Sequence, residues 1–213
     1  MIVRENSIEV RDITDTYSLE IEERRDFYKE AIFFDLEHYV YKKPICVGVF
    51  GSCYYDEDMG TLECTQYMIE NRKEISEILY LAEKYFKEML EKNKKYIVTF
   101  SGNNDFHVIN YLFEKFNIEF KILEHFHHID LQKEYEKRFK ESTGLKLLEK
   151  KFGIERSGEL ISGSNLAKTF SKVIKDKDYI LRMPAEKITK ILQYNEQDVV
   201  NLYHISLNWD SIE

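Results

Sequence analysis

Two prolines and eight glycines in 213 residues are too few for a collagen-like repeat or a Pro/Gly-rich disordered chain. Cysteine is also scarce. Cys46, Cys53 and Cys64 are odd in number and show no C-x-x-C spacing, which excludes a disulfide-stapled miniprotein; they are expected to be buried free thiols in a reducing compartment. No apolar run approaches the roughly 20 residues needed to span a bilayer, and the opening MIVRENSIEV lacks the basic and apolar regions of a secretory signal. A soluble cytoplasmic protein with no membrane partner is the expectation. What the chain does have is 43% hydrophobic and 14% aromatic residues, enough for a sizeable core in one α/β-sized domain.

The net charge of −8 argues against a polyanionic partner, but its distribution argues for one. Between Lys137 and Lys190 stand 14 basic and 7 acidic residues, a surplus of seven within a chain that is acidic elsewhere. Such a segment can track a nucleic-acid backbone or simply form a solvated face.

After a polar, unpatterned start, residues 31 to 37 (AIFFDLE) open with four apolar residues and predict a buried strand. Residues 44 to 56 and 61 to 69, parted by a turn around Glu57 to Gly60, predict a hairpin. Asn71 is placed to cap an amphipathic helix carrying Ile75, Ile78, Leu79, Ala82, Phe86, Met89 and Leu90 on one face. Next come a strand at 96 to 102, a helix at about 105 to 116, a strand at about 119 to 130 and a helix at about 131 to 140. The remainder is helical, ending in a helix from Pro184 to about Leu207. The pattern predicts an α/β fold: a mixed central sheet flanked by helices, with a helical C-terminal part. The expected boundaries are an N-terminal extension over 1–30, the domain over 31–207 and a tail over 208–213.

Acidic residues carry the chemical signal. Asp35 and Glu37, two apart on a strand, point to one face. Asp105 follows a strand and a Gly turn, where an acid can also be a helix cap. Tyr194 and Asp198, four apart on the last helix, share a face whose apolar neighbours suggest packing on the sheet. Acids that converge repel one another and have raised pKa values unless divalent cations neutralise them. Mg²⁺ or Mn²⁺ suits carboxylate ligands, and a pair of such ions serves phosphoryl transfer.

The order D-L-E (35–37), Asp105, H-I-D-L (128–131) and Y-N-E-Q-D (194–198) resembles the DEDD superfamily of 3′-5′ exonucleases. The tyrosine four residues before the last acid is similar to the DEDDy subgroup, and the nearest likeness is the YprB-type ribonuclease H-like domain, over roughly residues 31–207. L-K-L-L-E-K-K-F-G-I-E-R at 145–156 and I-S-G-S at 161–164 match the segment between that family's later motifs. The resemblance implies a ribonuclease H-like fold and two-metal hydrolysis of phosphodiesters. It also implies Asp35, Glu37, Asp105 and Asp198 as ligands of two Mg²⁺ or Mn²⁺ ions, with Tyr194 in support. The sequence departs from the family in two places. S-G-N-N-D-F at 101–106 stands where the family has N-G-x-x-F-D, and bulky His38 and Tyr39 replace small residues after the first motif.

The expected activity is a metal-dependent 3′-5′ exonuclease on single-stranded DNA or RNA, with Lys146, Lys150, Lys151 and Arg156 on the substrate backbone. The alternative is a catalytically impaired nucleic-acid-binding or scaffold module on the same fold. Other chemistries have weaker support. His125, His127 and His128 on one strand would split between two faces, which disfavours a zinc site. No Gly-rich phosphate loop and no G-x-S-x-G elbow is present. Asp130, at a strand end, is expected to cap or support rather than ligate.

Overall fold

A computed structural model of the chain describes residues 1–11, 13–158 and 161–212. Six strands form one sheet in the order β1-β4-β3-β2-β5-β6. β2 (Ala31–Tyr41), β3 (Lys43–Asp56) and β4 (Thr61–Met68) make the antiparallel meander expected from their β-branched and aromatic runs. β5 (Tyr96–Thr99) and β6 (His127–Asp130) add to β2 in parallel. The mixed α/β sheet and the helical C-terminal part are both as expected.

Helices cover both faces of the sheet. α1 (Ile75–Glu91) and α2 (Asn103–Lys115) bury Ile78, Leu79, Phe86, Ile109 and Leu112 against Phe34, Phe50 and Ile97. On the opposite face α7 (Ala185–Leu207) sets Val199, Leu202, Tyr203 and Ile205 against Phe33, Cys53 and Val98. α3 (Ile122–His125), α4 (Leu131–Phe139), α5 (Leu145–Lys151) and α6 (Gly163–Val173) complete the fold. The Asn71 side chain accepts from the Lys73 N–H at 3.0 Å, capping a short 3-10 turn that leads into α1. All three cysteines are buried and free.

Two elements differ from the sequence-based expectation. The N-terminal stretch is not unpatterned: β1 (Ile2–Glu9) pairs antiparallel with β4 and forms the sheet edge. Its inward positions alternate as Ile2, Arg4, Asn6 and Ile8, and the two polar ones are satisfied by Glu196 of α7. That mixed inner face hides the period-2 signal. The strand expected over 119 to 130 is shortened to β6, because Ile122 and Phe126, four apart and both buried, close a helical turn instead.

Pairing between β2 and β5 stops at Phe33 and Val98, whereas β2 runs on to Tyr41. Beyond Phe33, among the described residues, no strand pairs with that edge of β2, at the carboxyl end of the parallel strands. Crevices at this end of a sheet are favoured ligand sites in α/β folds.

Candidate active site

Asp35 and Glu37 project from β2 onto the face that α7 covers, and Asp198 descends from α7 to meet them. One carboxylate oxygen from each lies within 4.8 Å of the other two. The helix is locked in place by the residue after Tyr194. The Asn195 Nδ2 donates to Asp35 Oδ2 at 3.0 Å, while its Oδ1 accepts from Gln66 Nε2 at 2.8 Å. Gln66 also donates to the Leu192 carbonyl at 2.9 Å. The approach is so close that a Cβ on Gly51 would stand 2.0 Å from Asn195 Oδ1, so glycine is required there on contact grounds.

A second network reaches Asp198 from the other side. The Arg156 guanidinium donates through Nε to Glu149 Oε2 at 2.7 Å and through Nη2 to both Glu149 and Asp198. Asn201 Nδ2 donates to Glu149 Oε1 at 2.9 Å. Glu149 is 1% exposed, so this is an interior ion-pair cluster rather than a surface contact. Arg156 Nη1 is buried with no hydrogen-bond partner. Tyr194 lies beneath two cations, with Lys146 Nζ 4.5 Å and the Arg156 guanidinium carbon 5.2 Å from its ring centre.

Asp105 occupies the first turn of α2 and is buried. Its Oδ1 faces His38 Nε2 at 3.5 Å, and it is not one of the three acids whose oxygens converge. It is nonetheless near enough for its charge to raise the pKa of Asp35 and of Glu37. The loop before it is fixed by Asp130, whose Oδ1 accepts from the Ser101 N–H at 2.8 Å and from the Gln132 N–H at 3.1 Å. Asp130 is thus the cap of α4 that its strand-end position suggested.

Electrostatics mark the cluster as unstable without a counterion. Burial first, then the charges of Asp198, Glu37 and Asp105, hold the Asp35 carboxyl well above the usual range. Glu37 is raised by burial and by Asp198 and Asp105, with Lys146 and Arg156 opposing. Burial pushes Asp198 up to about 6 in spite of Arg156. Asp105 is raised by burial and partly relieved by His38. Burial and the neighbouring Asp198 and Glu37 charges raise the Tyr194 hydroxyl, which stays protonated at neutral pH. A divalent cation relieves this repulsion, and three convergent carboxylate oxygens are the hard donor set that Mg²⁺ or Mn²⁺ prefers. The residues therefore fit a metal.

The fold thus assembles Asp35, Glu37, Asp198 and Tyr194, with Asp105 beside them. Of the basic residues expected on substrate, Lys146 stands at the site and Lys150 is exposed. Lys151 pairs with Glu141 and Tyr135, and Arg156 spends two of its three nitrogens on Glu149 and Asp198. The histidines are scattered: His125 stacks on Phe120, His127 is exposed and His128 Nε2 lies 2.8 Å from Thr99 Oγ1. Sequence reasoning missed Asn195, Gln66 and Glu149. Asn195 had a signal in its place beside Tyr194 in the last acidic motif, and Glu149 in its place within the 145–156 segment; Gln66 had none.

A family model described as the RNase H superfamily matches residues 32–209, most of the chain and all of the site. The chain belongs to the RNase H superfamily. That membership implies hydrolytic handling of nucleic acid with divalent metal ions, in accord with the acidic cluster. No curated protein and no solved structure gives a match.

Proposed function

We propose that this protein is a 3′-5′ exonuclease of the DEDD type, acting on single-stranded DNA or RNA with two Mg²⁺ or Mn²⁺ ions. The observation that carries the reading is the convergence of Asp35, Glu37 and Asp198 within 4.8 Å, with Tyr194 one helical turn from the last. Asp35, Glu37 and Asp198 are the ligands, joined by Asp105 for the second ion. The ions, when bound, polarise the scissile phosphate and acidify water.

The protein's own groups do the rest. Tyr194, kept protonated by its surroundings, donates a hydrogen bond to the attacking water or to a phosphate oxygen rather than serving as a base. Water attacks phosphorus, the bond to the 3′-oxygen of the preceding nucleotide breaks, that oxygen gains a proton and a nucleoside 5′-monophosphate departs. Lys146 and the free Nη1 of Arg156 meet the phosphate charge, and Asn195 orients Asp35.

One observation favours the alternative of a binding or scaffold module. Asp198 and Asp105 already have partners, Arg156 and His38, that compete with a metal. Calorimetric titration with Mn²⁺ separates the readings. The exonuclease requires saturable binding that Asp35→Asn weakens at least tenfold; a wild-type protein that takes up no Mn²⁺ at neutral pH contradicts it.

A further inference from the structure

A groove of about 550 Å³ runs between α6 and the first turns of α7, lined by Lys168, Lys172, Tyr179 and Lys187, with Glu186 as the acid on its wall. It merges through Lys172, Tyr179 and Lys187 with a second depression of about 480 Å³ that adds Lys175. The Asp176 there is paired with Arg182. Lys168, Lys172, Lys175 and Lys187 are exposed, and among the described residues none has a carboxylate within 4.0 Å. At its other end the groove shares Lys190 with a small cleft lined by Arg156, Gln197 and Tyr194. That cleft holds only about 10 Å³, so a row of basic side chains, not an open channel, runs from the groove towards the Tyr194 ring, one turn from Asp198. At its inner end Arg156, with a side chain only 7% exposed, contributes a donor that no protein atom accepts.

We infer that this groove holds the sugar-phosphate backbone of a single nucleic-acid strand upstream of the end that enters the acidic cluster. The assignment deepens the exonuclease reading and rests on it for the direction of the strand. Lys187 and Asp198 are 11 residues apart on one helix, about 16 Å at 1.5 Å per residue. At about 3.4 Å per stacked nucleotide that spans roughly five phosphates. Lysines spaced along a narrow groove, with Lys172 held over the Tyr179 ring at 5.7 Å, suit the backbone of a flexible single strand more than a duplex of fixed width.

The test is fluorescence anisotropy of a labelled 12-nucleotide single strand, without divalent ions and in the Asp35→Asn background, so that binding is read with cleavage disabled. Lys172→Gln/Lys187→Gln is compared with Lys84→Gln/Lys87→Gln on exposed positions of α1, which removes the same charge elsewhere. The groove pair is expected to weaken binding about 10- to 50-fold near physiological salt. It should also lower the log-log salt slope by about 1.4, two contacts at about 0.7 each. The α1 pair should change affinity less than threefold. Equal losses for the two pairs overturn the groove, as does wild-type binding of a duplex or an inorganic polyphosphate as tight as that of the single strand. Groove-dependent binding by a protein that never cleaves would retain the groove and discard the nuclease; cleavage with no groove dependence would do the reverse.

Discussion

Arg156 is the counterion of two buried carboxylates, and its removal is the perturbation with the clearest magnitude. Arg156→Met keeps the aliphatic length but leaves Glu149, 1% exposed, and Asp198, 5% exposed, without their cation. Breaking a buried ion pair by deleting one partner costs about 3–5 kcal/mol. For a chain of this length each kcal/mol corresponds to roughly 2–4 °C, so the loss amounts to about 10 °C in Tm. The pH dependence identifies the cause. An acid whose folded pKa exceeds its unfolded value binds its proton preferentially in the native state, so stability falls as pH rises through that range. Asp198 is already pushed up to about 6 with Arg156 present, and without it must lie higher. The gap between wild type and variant should therefore be small at pH 5 and widen to its full size by pH 8. Calorimetric melts of the metal-free protein across that range measure it. A gap below about 1 kcal/mol, or one that does not change with pH, would show that the pair contributes no more than a surface contact.

Two further perturbations test how the site is held. Gly51→Ala drives a methyl group into Asn195 and should cost about 1–3 kcal/mol by overpacking while weakening Mn²⁺ binding roughly tenfold, because Asn195 carries the hydrogen bond to Asp35. Calorimetry reads both, and a variant with wild-type stability and affinity removes Asn195 as the link between α7 and β2. Metal should in turn stabilise the fold. With Mn²⁺ at 100 times its Kd the gain is about 2.7 kcal/mol, a rise of roughly 5–10 °C at pH 7.5. The rise should shrink towards pH 5, because Asp198, pushed up to about 6 by burial, is then protonated, and Asp35 and Glu37 are raised in the same direction by burial and mutual repulsion. An equal rise at both pH values points to binding elsewhere.

Much of the site is legible in local periodicity. The spacing of Asp35 and Glu37 on a strand and of Tyr194 and Asp198 on a helix places each pair on one face, and apolar neighbours say which face is inward. The partners that complete the site are not local. Arg156 reaches Asp198 across 42 positions, and Gln66 reaches Asn195 across 129, so no window along the chain brings them together. Asp105 is ambiguous for a different reason: an acid in the first turn of a helix serves equally as cap or ligand, and only its encounter with His38 and its place beside, not within, the converging trio describe it. In β1 the inward Arg4 and Asn6 break the apolar alternation, because their contacts are ionic and polar, with Glu196. In the segment before β6, the helical spacing of Ile122 and Phe126 is confined to one turn, too short to stand out among aromatic residues that also favour strands.

In the proposed exonuclease, Asp35 and Asp198 serve one hydrolytic centre at the 3′ end of a strand. A 5′-labelled single-stranded DNA and the matching RNA, incubated with Mn²⁺ and wild-type protein, Asp35→Ala or Asp198→Asn, test it directly. The expected result is a ladder that shortens from the 3′ end with wild type and is lost in both variants, which should still fold. Shortening that persists in either variant, or an intact strand with the wild-type protein, would contradict it.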